Sequence, residues 1–283
     1  MSNVSAVPLS WSQRDIEERL GFRGARHTRV NTLLSCLIGF VLSLGFYGVL
    51  TLFSRTTFAQ MFTERGPTPY AIVFLFFWSC AILFLKSRKL ALQYEALEHI
   101  VTPESNDFVL SVNTVDDVVQ KIYRTVDDPR HFILFNRIVI ALSNLRNLGR
   151  VSDVDEILRS QASQEESAME TSYAVVQGFI WAIPVLGFIG TVLGLSEAIG
   201  GFGNVLGSAE DVSQISGALR GVTAGLHTAF ETTLEALVGA LTIQFWLTFL
   251  KKSEEEFLDA CSEYCLRNIV SKLRVLPFER EGE

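Results

Sequence analysis

Two long apolar segments toward the C-terminal end limit what this sequence can fold into. The first runs from about Val175 to Ile199 and the second from about Thr223 to Leu250. Roughly 20 apolar residues at ~1.5 Å rise per residue cover a ~30 Å hydrocarbon core, so each segment is long enough to cross a bilayer as a helix. Neither is a plain anchor. The first reads Ile183-Pro184-Val185-Leu186-Gly187-Phe188-Ile189-Gly190-Thr191-Val192-Leu193-Gly194, and the second carries Thr228, Glu231, Thr232, Thr233 and Glu235. Ionisable groups at that depth are costly unless they face protein or water, so their presence asks for a reason.

At 100° per residue, Pro184, Gly187, Gly190, Thr191, Gly194, Ala198 and Gly201 fall within one arc of about 120°. Small faces let helices approach closely in lipid, where association depends on packing, so this arc predicts contact with other protein. On the second segment Thr228, Glu231, Thr232, Glu235, Gly239 and Thr242 gather into another arc of about 120°, a polar stripe on a spanning helix. If the two helices are antiparallel, Thr191 and the Thr232-Thr233 pair both lie ~12 to 15 Å into the membrane. Hydroxyls and carboxylates at one level, beside glycine-rich faces, suit a bundle that encloses a proton or cation path.

The phrase Pro184-x-x-Gly187-x-x-Gly190-Thr191-Val192-x-Gly194 resembles the third membrane helix of the MotA/TolQ/ExbB proton-channel family. Gly225-Leu226-x-Thr228-Ala229-Phe230-x-Thr232-Thr233-Leu234-x-Ala236-Leu237 resembles its fourth. Thr191 matches the family's threonine after the glycine run. Thr233 is the best match for the threonine of the last helix, whereas Thr232 fits the polar stripe better, and the sequence leaves both open. Glu231 and Glu235 depart from the common ExbB pattern. The resemblance covers the last two helices.

The remaining sequence fits an all-α membrane protein with four transmembrane helices and a helical cytoplasmic domain. Nearly half the residues (48%) are hydrophobic and the mean hydropathy is positive, which excludes an ordinary soluble globule. Residues 1–29 form a polar N-terminal segment with Arg14, Arg19, Arg23, Arg26 and Arg29, where Ser10 to Glu17 reads either as a short capped surface helix or as a mobile tail. The first span is expected over 30–53; its length and lack of a cleavage site argue against a signal peptide. A link over 54–69 holds Arg55, Glu64, Arg65 and the turn formers Gly66-Pro67-Thr68-Pro69. A short second span over 70–85 ends in Lys86, Arg88 and Lys89.

Residues 86–173 form the cytoplasmic domain, with Thr114 as a cap for a helix through Tyr123, Asp127-Asp128-Pro129 starting another, and a charged helix from Asp153 running directly into the third span. The third span is expected over 174–199, a periplasmic loop with Glu210, Asp211 and Arg220 over 200–222, and the fourth span over 223–250. The spacing of Gly217, Gly221 and Gly225 points to an early start for that last helix. Residues 251–283 give a cytoplasmic helix, apolar at Phe257, Leu258, Cys261, Cys265, Leu266, Ile269 and Leu273, then Pro277 and a charged tail. Basic residues before the first span, after the second and at Lys251-Lys252 place both termini in the cytoplasm by the positive-inside rule, and the resemblance implies that the membrane is a bacterial inner membrane.

Enzyme motifs are absent from the sequence: no catalytic residue, metal site or phosphate-cradling loop is expected. Cys36, Cys80, Cys261 and Cys265 read as buried thiols, and His227 as a hydrogen-bonded residue near a helix end. A net charge of −7 gives no basic footprint for nucleic acid. From chemistry alone, Thr191 bonds back to a carbonyl one turn earlier, Glu197 reaches the interface, and Arg137, Arg146 and Arg150 lie on a solvated face.

The resemblance implies more. It implies a ring-forming homo-oligomer, typically a pentamer in lipid, around two copies of a MotB/ExbD/TolR-like single-span partner whose aspartate takes up and releases the ion. Thr191, Thr232, Thr233, Glu235, Thr228 and Glu231 would line the path of a transported proton or sodium ion, with no cofactor. Pro184, Gly187, Gly190, Gly194, Gly225 and Gly239 would pack helices. Four spans and a large second loop are nearer the flagellar stator layout than the three-span TolQ and ExbB layout. A non-conducting oligomeric membrane scaffold is the alternative of another class, and a channel that conducts without a partner is a third.

Overall fold

The computed structural model describes residues 8–22, 27–64, 66–102, 109–110, 114–148, 151–206 and 212–273. The features expected at Arg23, Arg26, Arg65, Arg150, Glu210, Asp211 and Pro277 lie outside them, as does the side chain of Arg146. The helices in chain order are α1 (Trp11–Arg14), α2 (Ile16–Arg19), α3 (Thr32–Leu52), α4 (Thr57–Thr63), α5 (Thr68–Leu97), α6 (Val115–Thr125), α7 (Ile133–Leu148), α8 (Val151–Ser172), α9 (Ala174–Leu206) and α10 (Val212–Asn268). Among the described residues there is no strand, only the isolated bridges Leu9 to Val126 and Leu110 to Leu273. The chain is all-α, and four helical stretches are long and apolar enough to cross a membrane.

Helix ends differ from the sequence reading where nothing stops the helix. The link after α3 contains α4, which Thr56 caps by accepting from the Ala59 amide. α5 continues well past Leu85 because Lys86 to Leu97 lack Gly and Pro. The region expected as a loop over 200–222 is helical outside residues 207–211, and α10 begins at Val212, ahead of the Gly217-Gly221-Gly225 repeat. No break follows Leu250 either. Lys251 and Lys252 meet Glu255 and Glu256 one turn on, both at 3.7 Å, and such pairs favour continuation, so α10 is a single helix of 57 residues.

The chain forms two compact units, and α5 and α10 supply residues to both. One comprises 32–83 and 174–249. Here α3 meets α5 at Gly39, where a methyl would fall 2.6 Å from the Trp78 Cα, so only glycine permits the approach. Trp78 Nε1 donates to Ser35 Oγ at 3.1 Å, and its ring lies 4.7 Å from that of Phe179 on α9. Most large apolar side chains of α3, such as Leu33, Phe40 and Val41, are exposed, as lipid-facing residues would be.

The other unit comprises 1–31, 84–173 and 250–283. Val115, Val118 and Ile122 of α6 and Ile138, Leu142 and Leu145 of α7 are buried at helical spacing, each contributing roughly 1.5–3 kcal/mol. The end of α10 adds Phe257, Cys261 and Cys265, and Ile269 just after it is buried as well, while Leu266 is exposed. The N-terminal segment is two four-residue helices broken at Asp15, which caps α2 by accepting from Glu17 N. Ser10 makes no cap bond to α1. Asp127 caps it instead, accepting from the amides of Trp11 and Ser12 at 3.0 Å each, and Trp11 is buried. Thr114 occupies the position before α6 but donates to Val109 O, whereas Asp128 caps the 3₁₀ turn Pro129–His131 as expected.

Arg137 corrects the sequence reading. It is 1% exposed, forms a buried ion pair with Glu165 through Nε at 3.1 Å and through Nη2, and donates to Ser262 Oγ at 2.9 Å. A carboxylate one helix away turned an apparent surface charge into a core one.

Candidate functional site

The site is built where α9 and α10 come closest. A methyl on Gly187 would fall 2.5 Å from Ala236 Cβ, one on Gly190 would fall 2.7 Å from Thr232 Cγ2, and one on Gly225 would fall 2.4 Å from Ala198 Cβ. Gly194 sits at ordinary contact distance from Ala229, and Gly201 faces open space. The small-residue arc on α9 is therefore used by α10 over about three turns, from Gly187 to Ala198. Pro184, inside α9, turns with the exposed Trp181 and Phe188 to a shallow apolar pocket instead.

Close approach brings two hydroxyls together. Thr191 Oγ1 lies 3.1 Å from Gly187 O, one turn earlier on its own helix, and 3.1 Å from Ala229 O on α10. Thr233 Oγ1 lies 3.2 Å from Gly187 O and is hydrogen-bonded to Thr191 Oγ1. Two hydroxyl protons are thus shared among these contacts: one makes the link between the hydroxyls while the other reaches a carbonyl, since each oxygen can accept while it donates. The back-bond expected of Thr191 exists, together with a partner across the helix interface.

Thr232 has a different position. It is 1% exposed, donates to Thr228 O at 3.0 Å and presents its γ-methyl to Gly190. Thr228 donates in turn to Ala224 O at 3.0 Å. Glu231 is held by His227 one turn earlier, 3.1 Å away. Glu235 is about 200° around the helix from Thr233, so it faces the other way. With Gly239 and Thr242 it lines a cavity of about 370 Å³ walled by aromatic side chains of α3, α4 and α5. Gly239 packs on Phe76 at 3.5 Å rather than on α9. The polar stripe read from the sequence is thus divided, its C-terminal part facing the first two long helices.

Residues 134–263 match the model of the MotA/TolQ/ExbB proton channel family. The chain carries a domain of that family. No curated protein and no solved structure matches the chain. The MotA/TolQ/ExbB match takes in α8, α9, most of α7 and α10 as far as Glu263, so it includes both threonines and the Arg137–Glu165 pair. The matched segment contains α9 and much of α10, two of the four helical stretches long and apolar enough to cross a membrane.

Sequence reasoning missed the groups that meet from distant positions. Lys86 Nζ lies 2.6 Å and 2.9 Å from the two oxygens of Glu254, which also accepts from Tyr173 Oη at 2.6 Å and from Thr28. Lys89 Nζ lies 2.6 Å from Glu17 and donates to Arg29 O at 2.8 Å. In the sequence Glu254 is one of three successive glutamates, and nothing in that run distinguishes the buried one. The aromatic wall around Glu235 was visible only as an excess of phenylalanine, 21 residues without assigned places.

Proposed function

We propose that this protein is the A-type subunit of an ion-driven membrane motor. In this reading it forms a ring in a bacterial inner membrane, typically of five copies, with both termini in the cytoplasm. Two copies of a MotB/ExbD/TolR-like single-span partner occupy the centre, and the partner supplies the aspartate that binds the ion. Thr191 and Thr233 hand a proton or sodium ion past that aspartate, and the gradient drives movement of one component against the other. The observation that carries the reading is the hydroxyl pair within the family-matched segment. It is the site where a channel-family sequence and a polar contact between two spanning helices coincide.

A non-conducting scaffold is the second reading, favoured by the fact that both hydroxyls find backbone carbonyls to bond. Reconstitution separates the two. The full chain, with the single-span membrane protein encoded beside it, is placed in vesicles loaded with a pH-sensitive or a sodium-sensitive dye. The motor reading expects gradient-driven flux only when both proteins are present, lost in Thr191→Val and Thr233→Val while the assembly stays intact by size. Absence of flux from the wild-type pair in either a proton or a sodium gradient, or flux undiminished in both variants, would sink it.

A further inference from the structure

The cavity beside Glu235 has a chemistry that its own lining does not complete. Phe46 of α3, Phe62 of α4 and Phe76 and Phe77 of α5 form much of the wall, with Ile72 and Val73. Glu235 is 9% exposed and enters this wall, and neither carboxylate oxygen has a hydrogen-bond partner among the described residues. A second polar atom shares this state: the hydroxyl of Tyr47, next in the chain to the lining Phe46, is buried without a hydrogen-bond partner among the described residues. An unpartnered carboxyl in an apolar wall is expensive, so the occupant that relieves it must bring donors.

We propose that this cavity binds a lipophilic ammonium ion. Glu235 accepts the N–H groups, the phenyl faces hold the positive charge by cation–π attraction, and the aliphatic or aromatic body fills the rest. Size agrees, since small-molecule pockets run from roughly 300 to 1,000 Å³ and are mostly apolar with a few placed polar groups. A bare metal cation fits poorly. Hard cations take roughly six oxygen ligands, whereas the polar lining side chains here are Glu235 and Thr242, and the Thr242 hydroxyl donates to Val238 O at 2.8 Å. The inference uses neither Thr191 nor Thr233 and stands whether or not the chain conducts.

The test is calorimetric titration of the full chain in dodecyl maltoside, an uncharged detergent without an amine, with 4-phenylbutylammonium, its neutral counterpart 4-phenylbutanol, and sodium chloride. Saturable binding of one ammonium per chain is expected, with the alcohol unable to compete. Loss of a charge-assisted bond in Glu235→Gln is expected to weaken binding roughly ten- to a hundredfold. Gly239→Ala is the second variant: its methyl meets the Phe76 ring at an ordinary 3.5 Å, so the fold is kept while the cavity shrinks, and weaker binding is expected. Equal affinity for amine and alcohol, equal affinity in Glu235→Gln, or displacement of the amine by sodium at millimolar concentration would each overturn the assignment. Flux in reconstituted vesicles is a separate readout, so failure here leaves the ion-path reading untouched.

Discussion

Lys86 and Glu254 are 168 residues apart in the chain and form a buried ion pair, with Nζ 2.6 Å from the nearer carboxylate oxygen. The two side chains are 2% and 1% exposed. Burial of such a pair is repaid only when the remaining valences are filled, and here Tyr173 and Thr28 fill them. The Tyr173 ring also lies under the ammonium, 4.2 Å from its nitrogen.

Removing one member of that pair leaves the other charged and alone. Lys86→Met or Glu254→Leu singly is expected to destabilise the chain by ~3–5 kcal/mol, whereas the double variant recovers at least half of the loss. Thermal unfolding of the detergent-solubilised chain and its two single variants, read against the double, checks this.

At the α9–α10 contact, Gly187→Ala puts a methyl 2.5 Å from Ala236 Cβ and is expected to cost ~1–3 kcal/mol. Ala236→Gly on the same chain removes the obstructing atom and should restore most of the stability. A double-mutant cycle on unfolding midpoints measures the coupling, and additivity of the two changes would count against this packing.

Thr191→Val keeps the volume and removes one hydroxyl, leaving Thr233 free to donate to Gly187 O, 3.2 Å away. Hydrogen bonds between membrane helices average ~0.6 kcal/mol, so the unfolding midpoint should move little. Oligomer size by light scattering should not change. A large loss of stability would mean that the pair serves packing.

Asp127 supplies a pH dependence. Burial pushes its carboxyl upward, but the amides of Ser12, Trp11 and Asp128 and the Ser12 hydroxyl outweigh this and hold it below the usual carboxylate range. A depressed value means that its stabilisation is present above the unfolded carboxyl's ~3.9 and is lost as pH falls through the lower folded value. In a variant whose other three tryptophans are phenylalanine, quenching of Trp11 fluorescence should rise below about pH 4. Asp127→Asn should raise it already at neutral pH.

The sequence made the spanning helices legible because their signal is one-dimensional: length, apolarity and glycine spacing need no partner. It also marked Gly187, Gly190 and Gly225 as contact points, since a small-residue face has few other uses in lipid. The choice between Thr232 and Thr233 was not legible. Those residues differ by 100° around α10, and which of them meets Thr191 depends on the rotation of one helix against another. Lys86 and Lys89 illustrate the same limit. They read as interfacial cations of the kind that set orientation, but their charges are absorbed by Glu254 and Glu17, carboxylates far away in sequence. α4 escaped notice because seven residues between turn formers carry too little periodicity to register.

The hydroxyls of Thr191 and Thr233 have a symmetry that the helices around them lack. Thr233 can donate to Thr191 while Thr191 donates to Ala229 O, or Thr191 can donate to Thr233 while Thr233 donates to Gly187 O. Exchanging these two settings takes two bond rotations, a picosecond-to-nanosecond event, and moves no backbone. The link between the hydroxyls can therefore be polarised toward α9 or toward α10 while the two helices stay packed as they are.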